Sequence, residues 1–440
     1  MTSKARPGVA LVNLGCRVNR VELDAIASEL EALGCAVVAE EMADLVVVNT
    51  CAVTGEAEAK ARKAVRHAAA LPQSPLVLAT GCVASLFAPE LDALGPAVHV
   101  EPTKARVASR ALELLGMGDG SGCAAACARP VAPGHAVTPT GRMRPGLKIQ
   151  DGCDHRCTYC IVWKARGPAT STPAGDVVER VRSLADEGAR EVVLTGIDLG
   201  RYEDGDLDLA GLLRRVLDET PVGRVRLSSV EPAGVTPGLL DVMARSGGRV
   251  APFLHIPLQS GCDETLARMG RPYAVEEYRR VVDAARSAVP GLAIACDLIV
   301  GFPGETDGEF GRSLASCREI GFAKMHVFRY SRRPGTPAAT MPGQVAPETS
   351  AERSRLMREM AAESRRVYVG SLVGTEQLVL VERRDRGVSG GLVDVLVDPG
   401  SWGELVRVTP HGVTAAGSLD ARALPADRPD AAPAASPAGG

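Results

Sequence analysis

Apolar positions in the first quarter of the chain alternate between two patterns. Short runs rich in Val and Leu occupy 9–14, 36–39, 45–49 and 76–80, as in strands buried on both faces. Between the first two, 21–33 places Leu23, Ile26, Leu30 and Leu33 on one helical face. This alternation predicts a doubly wound α/β domain over 1–118, with a parallel sheet covered on both sides. The pattern lapses in GMGDGSGCAAACARPVAPGHAVTPT, which is rich in Gly, Pro and Ala, and 119–140 reads as a linker.

Strand–helix alternation resumes over 141–345. Strand patterns at 147–150, 192–195, 225–228, 254–258, 294–300 and 326–330 make six βα-like units, the expectation for an incomplete (βα)6 barrel of the TIM type. A charged connecting helix is expected over 346–369. Over 370–425 the strand patterns at 378–381, 392–397 and 405–408 are separated by Gly, predicting a small all-β module. The low-complexity stretch 426–440 is expected to be a disordered tail.

At 440 residues, two or three domains are expected, and a hydrophobic content of 45% suffices for sizeable cores. The net charge of −3 supplies no overall basic field, so any RNA contact must come from local patches. Aromatics are only 3% of residues, which argues against a base-stacking platform as the main working surface. The N-terminus lacks a signal-peptide pattern and no run is long and apolar enough to span a membrane, so a cytoplasmic protein with no membrane partner is expected. In that reducing compartment the 12 cysteines are ligands or inert core thiols rather than disulfides.

Two groups of cysteines carry the chemistry. Cys153, Cys157 and Cys160 stand in CDHRCTYC, spaced x3 and x2 on one loop after a predicted strand. Such a loop can hold three irons of a [4Fe–4S] cube, leaving a fourth iron open to S-adenosylmethionine through its amino and carboxylate groups. The competing reading is a zinc site with His155 as fourth ligand, but zinc sites usually pair C-x2-C units. Cys16, Cys51 and Cys82 are dispersed, each following a predicted strand, in NLGCRVN, VVNTCAVT and LATGCVAS. Parallel strands would bring their carboxyl ends to one sheet edge, where doubly wound folds build their sites. Three thiolates could then converge on a second [4Fe–4S] cluster; the alternative is three buried core cysteines. Cys35, Cys262, Cys296 and Cys317 fall in core-like or helical contexts. Cys123 and Cys127 lie in the linker and receive no role.

With both sets placed, the chain resembles the radical S-adenosylmethionine methylthiotransferase family, most closely its tRNA N6-threonylcarbamoyladenosine branch. The segments LGCRVN, VVNTCAVT, ATGC, LKIQDGCDHRCTYC, RLSSVEP, HIPLQSG, DLIVGFPGET and HVFRYSRRPGT carry the resemblance from residue 9 to about 370. It implies that Cys153, Cys157 and Cys160 ligate the cluster that reductively cleaves S-adenosylmethionine, giving a 5′-deoxyadenosyl radical that abstracts hydrogen from adenine C2. It implies that Cys16, Cys51 and Cys82 hold an auxiliary cluster carrying the sulfur, which a second S-adenosylmethionine methylates. The implied partners are tRNA, S-adenosylmethionine and an electron donor such as flavodoxin or ferredoxin. Thr195, Gly196, Ser228, Glu231 and Gln259 stand at strand ends and are the implied S-adenosylmethionine contacts, with ordinary turn and cap duty as the alternative. Asp297 and Gly301 are weaker candidates. Arg142, Arg144 and Lys148, then Lys164 and Arg166, then Arg329, Arg332 and Arg333 are candidate phosphate contacts or a solvated face.

Two departures stand out. After Cys160 the family usually continues with Ile-Pro-aromatic, whereas this chain has Ile161-Val162-Trp163-Lys164; Trp163 is expected to pack in the core. The C-terminal module resembles a divergent TRAM domain, yet 370–425 holds five basic and seven acidic side chains, a balance of −2, which suits RNA poorly. Methylthiolation of threonylcarbamoyladenosine in tRNA is therefore the leading reading. The same chemistry on isopentenyladenosine, a ribosomal protein, a peptide or a metabolite is the second. A non-catalytic electron-transfer or RNA-binding protein is the third, opposed by two triads that each leave an iron open.

Overall fold

The computed structural model describes residues 6–117, 138 and 141–423. Cys123, Cys127, most of the linker and the tail lie outside them. The first five strands are all parallel, ordered Ala36–Val37, Gly8–Asn13, Leu45–Thr50, Leu76–Gly81 and Val98–Val100. This order is doubly wound, with its switch point between Gly8–Asn13 and Leu45–Thr50, where such sheets open a crevice. Side chains alternate across the sheet. Val9, Leu45, Val47 and Leu78 pack under the helices Arg17–Ala32 and Val107–Leu114, through Leu23, Ile26, Leu30 and Ala111. Val46, Val48, Val77 and Ala79 meet helix Gly55–Ala69 through Ala61, Val65 and Ala68 on the other face.

The six predicted βα strands are also present and parallel. Gly146–Lys148, Glu191–Thr195 and Arg224–Leu227 form one ladder; Phe253–His255, Ala293–Val300 and Lys324–Arg329 form the next. Single parallel bridges at Val225–Val250 and Ser229–His255 join the two into one sequential series. Among the described residues no ladder joins the first strand to the sixth, so the curl stays open. Its outer side is apolar: Val192, Leu194, Val225, Leu227, Ile294 and Leu298 pack with the surrounding helices. Positions alternating with these turn inward and include Glu191, Arg224, Arg226, His255 and Asp297. A closed TIM interior would be filled with branched apolar residues; here charged and polar side chains share the inner face with Phe253, Ala293 and Ala295.

Helix Pro347–Ser371 does more than connect, since Met357 and Met360 are buried in the barrel's outer core. The C-terminal module is larger than the three predicted strands. Its six strands run in the order Leu405–Val408, Gln377–Arg383, Arg386–Ser389, Asp394–Leu396, Leu419–Asp420 and Gly412–Val413. The predicted strand 392–397 is shortened to Asp394–Leu396, because Ser389 to Val393 make the reversal before it. A core of Val379, Val381, Val393 and Val395 packs on Val369 of the long helix and on Leu372, which caps it.

The module covers the barrel at the amino ends of its strands. Arg224 donates to Leu378 O at 2.5 Å and Arg226 to Gly390 O at 2.6 Å. Glu191 lies between both guanidiniums, 2.6 Å from Arg226 Nε. Buried charges of this kind persist only when paired and hydrogen-bonded. The carboxyl ends of the strands are left for the cysteine loops.

Candidate active site

The N-terminal triad stands where strand alternation predicted. Cys16 follows the first strand, Cys51 the third and Cys82 the fourth, and the three thiols influence one another electrostatically. Tight backbone packing brings them together. Gly15 precedes Cys16, and a Cβ there would sit 2.6 Å from Cys51 Cβ. Gly81 precedes Cys82 at φ +94°, and a Cβ would sit 2.3 Å from Thr50 O. Only glycine fits both the left-handed backbone and the close approach. Asn19 Nδ2 donates to Thr50 O at 2.8 Å, and Asn49 Nδ2 to Asn19 O at 2.6 Å, tying the strand ends to the first helix.

The second triad lies on the loop after Gln150–Asp151. Gly152, at φ +72°, lets the loop pass Pro168, whose carbonyl oxygen would be 1.8 Å from an added Cβ. Burial pushes the thiols of Cys51 and Cys153 up to about 11 and that of Cys160 to about 12, with neighbouring cysteines adding to the rise. Metal ligation must therefore displace protons. Among the described residues, the one group of three ligand atoms all within 4.8 Å of one another is Cys262, Glu264 and Glu309. Neither triad meets that spacing, whereas thiolates sharing one tetrahedral zinc stand about 4 Å apart by its bond lengths. Neither triad is therefore gathered for a single tetrahedral ion, and three thiols on one loop are the donor chemistry of a [4Fe–4S] cluster with one open iron. The Cys262 group is already satisfied: Cys262 Sγ donates to Glu264, and Arg312 and Arg268 pair with Glu264 and Glu309.

The predicted cofactor rim is assembled at adjoining strand ends. Gly196 N–H donates to Ser228 Oγ at 3.1 Å, so these two hold each other. Thr195 Oγ1 is buried without a hydrogen-bond partner. Gln259 adopts φ +66°, rare for a side-chain-bearing residue, and its amide 2.9 Å from Asp297 O continues the strand pairing. Glu231 is bound by Arg271. Gly301, at φ +72°, donates to Glu305. Asp297 accepts from or faces His255 Nε2 at 3.1 Å and His326 Nδ1 at 3.6 Å, and Ser229 Oγ meets His255 Nδ1 at 2.7 Å.

Several residues that touch the predicted site residues escaped the sequence reading. Gln150 Oε1 accepts from the amides of Ile197 and Asp198, both at 2.9 Å, shaping the turn after Gly196. Asp198 in turn accepts from Glu231 N at 3.2 Å and lies 3.8 Å from His155. Arg271 donates to Cys157 Sγ at 3.2 Å from 114 residues away. Gln150 sits two residues before the loop glycine and Asp198 within TGID, which were the available signals; Arg271 had none beyond following Met269-Gly270.

The candidate phosphate contacts are mostly spent elsewhere. Arg166 is bound by Glu22, Asn19 and Asp151, each at 2.8 Å. Lys148 pairs with Glu22 and Asp151, Arg144 with Glu382, and Arg333 with Glu58. Lys164 donates to Gly335 O at 2.5 Å and Arg332 to Ala339 O at 2.6 Å. The expectation of a core Trp163 is also corrected. Its half-buried ring, on the short helix Val162–Arg166, lies 4.3 Å from the Arg156 guanidinium and 5.2 Å from Lys164 Nζ, so cations cover it. Cys35, Cys296 and Cys317 are buried as expected.

A three-cysteine loop at the carboxyl ends of an open parallel barrel defines a radical S-adenosylmethionine enzyme. Residues 147–317 match the radical SAM superfamily model, and residues 8–100 match that of an uncharacterized protein family, UPF0004. The chain is 35% identical to the threonylcarbamoyladenosine tRNA methylthiotransferase MtaB of Thermotoga maritima, over 85% of this chain and 86% of that one. It is 36% identical to the ribosomal protein uS12 methylthiotransferase RimO of Desulforudis audaxviator, over 86% and 85%. Among solved structures, the radical S-adenosylmethionine methyltransferase TsrM of Kitasatospora setae superposes with a TM-score of 0.55 at 18% identity, covering 76% of this chain and 77% of that one. The chain belongs to the radical S-adenosylmethionine methylthiotransferase family and is a transferase. Membership implies a [4Fe–4S] cluster and S-adenosylmethionine as cofactors. Among the described residues no helix is long and apolar enough to cross a membrane.

Proposed function

We propose that this chain methylthiolates N6-threonylcarbamoyladenosine in tRNA at adenine C2, using two [4Fe–4S] clusters. Cys153, Cys157 and Cys160 hold one cluster, and Cys16, Cys51 and Cys82 the other. The observation that carries this reading is the pairing of two thiol triads across a single buried ion network. Arg166, six residues after Cys160, reaches Asn19 and Glu22, three and six residues after Cys16. Radical formation and sulfur delivery must face one substrate atom, and a rigid link between the two loops serves that geometry. When bound, the cluster–S-adenosylmethionine pair supplies a radical able to take hydrogen from an unactivated carbon, and the second cluster supplies sulfur. The protein's share is to orient: Thr195, Gly196, Ser228, Glu231 and Gln259 line the S-adenosylmethionine rim, and Cys51, Cys82 and Cys157 are buried.

Substrate choice draws support from Arg17. It directly follows Cys16 and makes no hydrogen bond or ion pair among the described residues. Solvent reaches the side chain, yet burial and the nearby Arg226 and Arg144 push its pKa down, as for a group standing in a cleft. Lys324 is likewise unpaired and sits within its electrostatic reach. The Asp297 carboxylate acts on Arg17 from nearby without forming an ion pair, and a guanidinium with no direct partner among the described residues suits a substrate bearing a carboxylate. The threonylcarbamoyl group carries one; isopentenyl does not. An aspartate of a ribosomal protein also carries one, and the acidic C-terminal module at the far end of the barrel favours keeping that second reading. An electron donor of the flavodoxin or ferredoxin kind would complete the system.

The test is mass spectrometry of tRNA nucleosides from a strain lacking methylthiolated adenosines, with and without this protein. Appearance of 2-methylthio-N6-threonylcarbamoyladenosine is the expected result. Its absence, with cluster content and S-adenosylmethionine cleavage verified, would move the search to the ribosomal protein.

A further inference from the structure

Arg271 is a buried cation that reaches a cysteine of the CDHRCTYC loop from outside that loop. Its side chain is only 2% exposed, in a site also shared by a buried thiol and a carboxylate. All three arms of the guanidinium are engaged. Nη1 donates to Cys157 Sγ at 3.2 Å, Nη2 to Glu231, and Nε to Tyr273 Oη at 3.1 Å. Tyr273 donates onward to Pro257 O at 2.8 Å and Leu258 O at 3.2 Å, which fixes the phenol and hence the guanidinium plane. Other groups close by are Tyr159, beside the guanidinium, and Asp198 and His255, which act on Glu231.

A guanidinium donating to a ligand sulfur stabilises the more negative, reduced form of a cluster, and so raises its reduction potential. A carboxylate on the same guanidinium opposes that effect by drawing off part of the charge. We propose that Arg271 is a positioning residue that sets the reduction potential of the cluster at Cys153, Cys157 and Cys160 through its bond to Cys157, with Glu231 of the cofactor rim as its counterweight. The inference rests on the ligand assignment above. It goes further in making the potential a property of a residue outside the cysteine loop and of a rim residue that answers to the cofactor.

The experiment is an EPR-monitored redox titration of the reconstituted full-length protein without S-adenosylmethionine. Iron content and the intensity of the reduced signal report whether the cluster is present, and Cys157→Ala, losing that cluster's signal, tests the ligand assignment separately. Arg271→Met is expected to shift the midpoint to more negative potential, and Arg271→Lys to shift it less because a charge remains. Glu231→Gln is expected to shift it in the opposite, positive direction. A merely structural role would not produce shifts of opposite sign. Should Arg271→Met fail to assemble a cluster, the lysine and Glu231→Gln variants decide the matter. Unchanged midpoints in a loaded Arg271→Lys and Glu231→Gln, or shifts of the same sign, would overturn the proposal.

Discussion

Replacing Arg166 by Met removes the centre of the ion network between the two cysteine-bearing domains. Arg166 and Glu22 are 6% and 4% exposed at their side chains, and the contacts at 2.8 Å cross from the loop after Cys160 to the helix after Cys16. Breaking a buried pair by removing one partner costs about 3–5 kcal/mol, since the remaining charge is left uncompensated. Lys148 at 2.9 Å and Lys104 at 3.4 Å still face Glu22, which places the expected loss at the lower end, about 3 kcal/mol. The carboxyl itself leads to the same magnitude. Burial alone would raise its pKa, but Arg166, Lys104 and Lys148 outweigh it and hold Glu22 at about 2, against an ordinary 4.5. That difference corresponds to about 3 kcal/mol of linked stability. Because the folded-state value is depressed, this stabilisation is present above the ordinary value and is lost as pH falls from 4.5 toward 2. The variant should therefore begin to open at higher pH than the parent.

Hydrogen exchange of the helix Arg17–Ala32 reads the interface directly. At neutral pH its amides should exchange about a hundredfold faster in Arg166→Met, the equivalent of about 3 kcal/mol. Adding Glu22→Gln should recover part of the loss, because the stranded charge is gone. Exchange within threefold of the parent, or additive effects in the pair, would refute the reasoning and make the network a surface ornament.

Three further outcomes are expected. Cys157→Ala should abolish 5′-deoxyadenosine formation, whereas Cys51→Ala should spare S-adenosylmethionine cleavage and stop methylthiolation, both read by chromatography and mass spectrometry of the products. Arg17→Gln should weaken binding of a hairpin carrying threonylcarbamoyladenosine by about tenfold, the scale of about 1.5 kcal/mol for a charge-assisted bond, and leave its neutral methyl ester unaffected; equal losses on both would deny the carboxylate role. Gly81→Ala meets both a left-handed backbone and Thr50 O, so it should cost more than about 2 kcal/mol locally and halve iron content while preserving S-adenosylmethionine cleavage.

What the chain determined by itself is local or periodic. Three cysteines spaced within eight residues share a loop whatever surrounds them, because chain connectivity alone keeps them near. The positions of Cys16, Cys51 and Cys82 were legible one step further on: each ends a strand pattern, and parallel strands have their carboxyl ends on one edge. The inner and outer faces of the barrel likewise follow from period two. Long-range electrostatics was not legible. Arg166, Arg333 and Arg144 look from the sequence like free cations, but Glu22, Glu58 and Glu382 lie 144, 275 and 238 residues from them and consume their charge. Arg17 looks no different in sequence, yet makes no ion pair among the described residues. Trp163 reads as an apolar core residue until Arg156 and Lys164 are found on its ring. Arg271 meets Cys157 only because the helix Asp263–Met269 ends in a left-handed glycine, Gly270, against Cys157 and Thr158. Hydrophobic periodicity reports which face of an element is buried; which partner a buried charge finds depends on the packing of elements distant in sequence, and that only the tertiary structure decided.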